Sequence, residues 1–273
     1  MLRDPEVLQA LAAGLVVAVL CGVLGVFVVL RRGSFAAHAV TDLGLTGGAG
    51  ASLAGAPPLA GLLLASVFGS AVIARLGVRA RESDVATGTV LTAALGVGAL
   101  FLFVQTRAGV APTALLFGSI FAVRPEVLVT SAVLGGASLL ALAALFRPLA
   151  FSTVSPEAAA SRGVPVAFVG TAFLVLMAVA LAEAAQLVGV LLTTALVIGP
   201  ASAAIVLSSR LATALVLAVV FGVAQMTLSV VLAYASYTWP PGGTGWPVSF
   251  FVGVLALVSY VAARALARGR GAC

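Results

Sequence analysis

"VLQALAAGLVVAVLCGVLGVFVVL" (7–30), followed at once by Arg31 and Arg32, is the stretch whose reading decides the fold. It carries no charge along its length. A bilayer core demands ~20 consecutive apolar residues of a helix, at ~1.5 Å of rise per residue. Backbone groups in lipid must be satisfied within the structure, which leaves helices or closed barrels. A barrel strand alternates apolar and polar residues. This run does not alternate, so it reads as a transmembrane helix stopped by a basic pair.

The rest of the chain repeats the pattern. Of 273 residues, 62% are hydrophobic and 8% charged, with a mean hydropathy of +1.25. A soluble domain carries roughly 25% charged residues, so this chain cannot clothe itself in polar groups. The fold class is an all-α polytopic membrane protein, with about nine transmembrane helices in a single transmembrane domain, 1–273. Spans are expected near 7–30, 34–54, 58–75, 85–105, 125–146, 165–183, 186–208, 211–236 and 247–266. The segment "APTALLFGSIFAV" (111–123) is too short to cross and too apolar for a plain loop, and reads as an outer half-helix. No internal repeat and no separate soluble domain is expected.

All 14 basic residues are arginine, and they set the orientation. With the N-terminus outside, one face holds Arg31, Arg32, Arg75, Arg79, Arg81, Arg147, Arg162, Arg210, Arg264, Arg268 and Arg270. The other holds Arg3, Arg107 and Arg124. The excess of cytoplasmic arginine selects N-out, C-in. It also accounts for the net charge of +6 without any nucleic-acid partner. Cys21, inside a span, and Cys273, at the end, form no disulfide framework. The acidic start "MLRDPEV" and the lack of a cleavage site point to a retained first helix rather than a signal peptide.

One inner loop, "FSTVSPEAAASRGVPV" (151–166), is polar enough to be solvated and predicts a short helix over about 155–163. Ser155 suits the N-cap and Pro156 the first helical position. Glu157 complements the positive end of the helix dipole. Ala158 and Ala159 propagate the helix, Arg162 falls near its end, and Gly163 can close it in the left-handed conformation. Two readings stand: a capped linker, or a coupling helix that docks on a cytoplasmic partner.

The polar exception within the spans is "FAAHAVTDLGLTGG" (35–48). Asp42 follows Arg32 by about ten helical positions, or ~15 Å, about half the bilayer core. The sole histidine, His38, lies one turn before it on the same face. Gly44, Gly47, Gly48 and Gly50 give this helix a surface for close packing. The pair admits three readings: a structural polar contact, a proton relay, or a transition-metal site, for which imidazole and carboxylate suit zinc, manganese or iron. Two ligands are too few for a tight site, and a two-fold homodimer would bring four. Glu183 and Gln186 flank a short outer turn and are expected to face water. Gln225 is a candidate helix–helix hydrogen bond. Pro200 sits mid-span, breaks a backbone bond and is expected to kink its helix. No nucleophile set, phosphate loop or CxxC pair is present. The chain has no catalytic residues, so any ATP is hydrolysed by another subunit.

Four stretches in order resemble the permease subunits of ABC-type zinc, manganese or iron importers. They are "VVLRRGSF" (28–35), "RESDVATGTVLTAALGVGAL" (81–100), "FSTVSPEAAASRGV" (151–164) and "GVLLTTALVIGPASAA" (189–204). The resemblance implies residence in a bacterial cell (inner) membrane, paired permeases, two cytoplasmic ATPase subunits and an extracytoplasmic metal-binding protein. It implies that 155–163 is the coupling helix, and that His38 and Asp42 line the metal pathway. The family carries an Asp-x-x-x-His on its second helix. Aligned on Arg31 and Arg32, the two residue types are exchanged in this chain. The shared face and the ligand chemistry survive that exchange; the depth of each ligand does not. A permease for chelated metal, a proton-coupled carrier that needs no ATPase, and a membrane scaffold are the competing readings.

Overall fold

In the computed structural model, residues 5–76, 83–107, 120–123, 125–239 and 245–270 are described. The long helices are α1 (Pro5–Leu30), α2 (Ser34–Leu53), α3 (Pro58–Leu76), α4 (Ser83–Arg107) and α5 (Pro125–Val154), then α7 (Val166–Val188), α8 (Val190–Leu207), α9 (Leu211–Ala235) and α10 (Val248–Arg270). The short α6 (Pro156–Ser161) stands between α5 and α7. Among the described residues there is no strand. Eight of the long helices are both long enough and apolar enough to cross a membrane. The exception, α2, is the glycine-rich, least apolar span, yet at 20 residues it has the length.

α1 is the central post. In its most apolar window 67% of residues are buried inside the protein, against 17% for α4 at the periphery. It packs on α5, α7, α8 and α9. Near its C-terminal end the buried Phe27 ring meets Phe146 of α5 edge-on at 5.7 Å and Phe173 of α7 at 6.3 Å. Lipid tails are as apolar as leucine, so these helices gain little from hydrophobic transfer; close fit holds them instead. The α2–α3 crossing shows it. A Cβ on Gly47 would collide with the Gly61 carbonyl, and one on Gly61 with the Gly47 carbonyl. One on Gly50 would stand 2.8 Å from the Phe101 ring of α4. The small-residue surface read from the sequence is therefore where α3 and α4 approach α2.

Three boundaries differ from expectation. The fifth helix does not stop near 146 but runs through Pro148 to Val154, so 151–154 belong to a helix rather than a solvated loop. Leu149 and Ser152 are buried, and packing outweighs the bond that Pro148 cannot donate. The turn expected near residue 184 falls instead at Gly189, whose φ of 86° and ψ of 156° belong to a region essentially reserved for glycine. Finally, of the expected half-helix, 111–119 lie outside the described residues, and Ile120–Ala122 form one 3-10 turn.

On the opposite side of the bundle, Trp246 stacks on Phe251 at 6.2 Å and meets Trp239 edge-on at 6.0 Å. The Trp246 amide donates to the Ser236 hydroxyl at 2.8 Å. This aromatic cluster ties the end of α9 to the start of α10.

Candidate functional site

His38 and Asp42 lie on successive turns of α2, with Nε2 of the first 3.5 Å from Oδ2 of the second. That is close enough for one cation to sit beside both and too long for a strong hydrogen bond. Their surroundings differ. The His38 side chain is 44% exposed, whereas that of Asp42 is 13% exposed. His38 borders a cavity of about 590 Å³ between α8 and α10. Leu191, Thr194, Ala195, Ile198, Gly199 and Ser202 line one wall; Ala256, Leu257 and Tyr260 line the other. The cavity is largely apolar, with Thr194, Ser202 and Tyr260 as its polar points. Sequence reading missed these three; the eight-residue spacing of Thr194 and Ser202, which returns to the same helix face, was the available signal.

The helix around the pair is braced by short polar side chains. Thr41 Oγ1 donates back to the Ala37 carbonyl at 2.8 Å. Thr46 Oγ1 donates to the Ala94 carbonyl of α4 at 2.9 Å, and Ser66 of α3 donates to the Val40 carbonyl at 3.0 Å. Gln105 Nε2 reaches the Ala49 carbonyl at 2.9 Å. Nδ1 of His38 is buried without a hydrogen-bond partner. Among the described residues, no group of three or more histidine, cysteine, aspartate or glutamate side chains gathers in one place. One chain thus offers a cation two protein ligands.

The short helix predicted over about 155–163 forms as α6. Ser155 is extended at φ −147° in the N-cap position and Pro156 begins the helix, but the Ser155 hydroxyl makes no capping bond. The end follows the expected chemistry. Gly163 is left-handed at φ 80°, its amide donates to the Ala160 carbonyl, and the Val164 amide donates to the Ala159 carbonyl, both at 3.0 Å. That is the paired closure of a Schellman motif. Glu157, Ala158 and Arg162 are exposed, while Ala159 is buried against the bundle. One face of α6 is thus docked and the other free.

Pro200 is buried inside α8, which runs unbroken from Val190 to Leu207. Gln225 bonds across helices as expected, donating from Nε2 to the Ser259 hydroxyl of α10 at 2.7 Å. Glu183 and Gln186 correct the expectation of water. Because α7 continues to Val188, both lie within it; Glu183 is 1% exposed and neither carboxyl oxygen makes a hydrogen bond of good geometry. The Gln186 amide oxygen is likewise buried and unpartnered.

Over 216 residues the chain is 32% identical to the "Manganese transport system membrane protein MntC" of Halalkalibacterium halodurans, covering 79% of this chain and 74% of that one. It is 26% identical over 227 residues to the "Probable iron transport system membrane protein" of Haemophilus influenzae, covering 83% of each. Its fold matches a chain of PsaBC from Streptococcus pneumoniae, solved in complex with Fab, with a TM-score of 0.81 at 24% identity, over 96% of this chain and 92% of that one. The family model described as the ABC 3 transport family matches residues 3–261. The chain is therefore a multi-pass membrane permease that belongs to the ABC 3 transport family.

Proposed function

We propose that this protein is the permease of an ATP-driven importer of a divalent transition-metal ion, manganese or iron foremost, with zinc open to the same ligands. The observation that carries this is the His38–Asp42 pair, whose histidine borders a cavity, on a helix with no other ionisable group. Imidazole with carboxylate suits these ions, and two ligands per chain hold an ion loosely enough to release it. The names of the manganese and iron relatives support the same cargo. The pathway runs along the axis of a homodimer, where a second copy supplies a second His38 and Asp42. All of 1–273 acts as one permease domain, N-out and C-in, with α2 as the ninth crossing.

Energy comes from two cytoplasmic ATPase subunits, and the ion is delivered by an extracytoplasmic metal-binding protein. α6 is the coupling helix. Ser155, Pro156 and Gly163 fix its ends; Ala158 and Ala159 form its body; Glu157 and Arg162 face the ATPase. Pro200, which cannot donate to the Leu196 carbonyl, is where α8 bends. The test is Mn²⁺ uptake into proteoliposomes that hold the permease with its ATPase. His38→Ala combined with Asp42→Ala should reduce ATP-dependent uptake by about tenfold or more. Undiminished uptake would remove the pair from the pathway, and ATP-independent uptake driven by a proton gradient would replace the proposal with a carrier.

A further inference from the structure

We propose that Arg31 is the positioning residue that ties the stem of α6 to the start of α2, so that movement of α6 reaches the His38–Asp42 pair. This rests on the reading of α6 as the coupling helix.

The two arginines after α1 behave differently. Arg32 is exposed, as a topology anchor at a membrane face should be. Arg31 turns inward. Its Nη1 donates to the Ser152 hydroxyl at 3.3 Å and to the Thr153 hydroxyl at 3.2 Å, both on the last turn of α5. Both hydroxyls in turn donate to the Leu149 carbonyl, Ser152 at 3.1 Å and Thr153 at 2.6 Å. That directs lone pairs on their oxygens toward the guanidinium. From the third side the guanidinium lies over the Phe173 ring of α7, 5.7 Å from its centre. Gly170 lies beside it, where a Cβ would make ordinary contact at 3.4 Å from Nη2. An arginine needed only for its charge has no need of two hydroxyls and a ring around its guanidinium.

Both ends of this linkage are stiff. On one side α5 is unbroken to Val154, and Ser155 alone separates it from α6. On the other, α1 closes by its own Schellman pair: Arg32 N–H to the Val29 carbonyl at 3.0 Å and Gly33 N–H to the Val28 carbonyl at 2.8 Å. Arg32 takes the left-handed position at φ 56°. The Gly33 carbonyl then accepts the Ala37 amide at 2.9 Å, so α2 begins with no slack. His38 follows directly. Displacement of α6 therefore has a short, bonded route through Ser152, Thr153 and Arg31 to the base of the helix that carries the ligand pair. Planar, forked donors make arginine the residue for such a contact, and lysine is no substitute.

Such a route requires demonstrated energetic coupling. The permease with its ATPase in proteoliposomes supplies it, by measuring Mn²⁺ taken up per ATP hydrolysed. Arg31→Ala should lower that ratio about tenfold, with Mn²⁺ binding and the Tm of the solubilised complex unchanged. Arg31→Lys should restore only part. Ser152→Ala with Thr153→Val should reproduce the loss and add nothing to Arg31→Ala. A wild-type ratio in Arg31→Ala, or effects that simply add, would overturn the linkage. Should Arg31→Ala not fold, the Ser152/Thr153 pair decides alone, a wild-type ratio there overturning it. A Glu157→Arg control separates the two levels. It should weaken ATPase binding; if binding survives, the coupling role of α6 falls and the linkage with it. If binding is lost while Arg31→Ala retains the wild-type ratio, only the linkage falls.

Discussion

His38, 44% exposed, and Asp42, 13% exposed, share one helix face but not one environment. The imidazole borders the cavity and the carboxylate lies behind it, so on the proposed pathway an ion arriving from the cavity would encounter nitrogen first. The order of the two residue types is directly testable. Either single change, His38→Asp or Asp42→His, leaves two ligands of one kind, whereas the double change restores the mixed set in the opposite order. Mn²⁺ binding by calorimetry should be weaker in each single variant and recover in the double. Failure to recover would mean that ligand depth, not the pair's composition, decides affinity. Glu183 gives a prediction of the opposite kind. Its carboxyl is buried against Gly135 of α5 and neither oxygen makes a hydrogen bond of good geometry, an unfavourable placement for an ionisable group in apolar surroundings. Glu183→Gln keeps the shape and removes the ionisable group, so the Tm in detergent should hold or rise. A fall of several degrees would show that the carboxyl has a bonded role.

At the scale of the element, two glycines end helices by different means and should respond differently to a methyl group. Gly163, at φ 80°, closes α6 in the ordinary left-handed region with open space around it. Gly163→Ala therefore costs only conformational energy, about 1–2 kcal/mol. Gly189, at φ 86° and ψ 156°, makes the one-residue corner between α7 and α8 in a region closed to side chains. Gly189→Ala should cost more, up to about 3 kcal/mol. Thermal unfolding of the two variants, compared side by side, gives the order; an equal or reversed order would contradict the corner. Here the sequence was only half legible. "SPEAAASRG" showed both ends of α6, because caps and glycine act locally. Gly189 was overlooked, and the turn was placed at Glu183 and Gln186, because polar residues were read as a surface. The corner is set by backbone conformation, while Glu183 goes inside and Gln186 buries its amide oxygen.

For the whole molecule, arginine placement and parity predict an N-out, C-in orientation, and chemistry at two exposed positions can check it. With N-out topology, Ala56, between α2 and α3, faces outside, and Glu157 on α6 faces inside. In a chain with Cys21 and Cys273 replaced by serine, Ala56→Cys should react with an impermeant maleimide on intact cells. Glu157→Cys should react only after lysis. The reverse pattern would invert the topology, and labelling of both on intact cells would break the parity of nine crossings.

The sequence by itself determined the solvent of this protein, the approximate positions of most of its spans and the ends of α6. It also placed His38 and Asp42 on one face. These depend on composition, on helical period and on residues within a turn of one another, all of which are local. Tertiary structure alone decided which helix stands at the centre, that α5 extends through Pro148 to stem α6, that Glu183 is buried, and that His38 opens on a cavity walled by α8 and α10. It also turned Arg31 inward and left Arg32 outside. In a chain this uniformly apolar, nearly every helix face is equally suited to lipid. Hydropathy then cannot choose which face is buried. The choice falls to close packing, to glycine gaps such as those at Gly47 and Gly61, and to a few polar contacts between helices far apart in sequence.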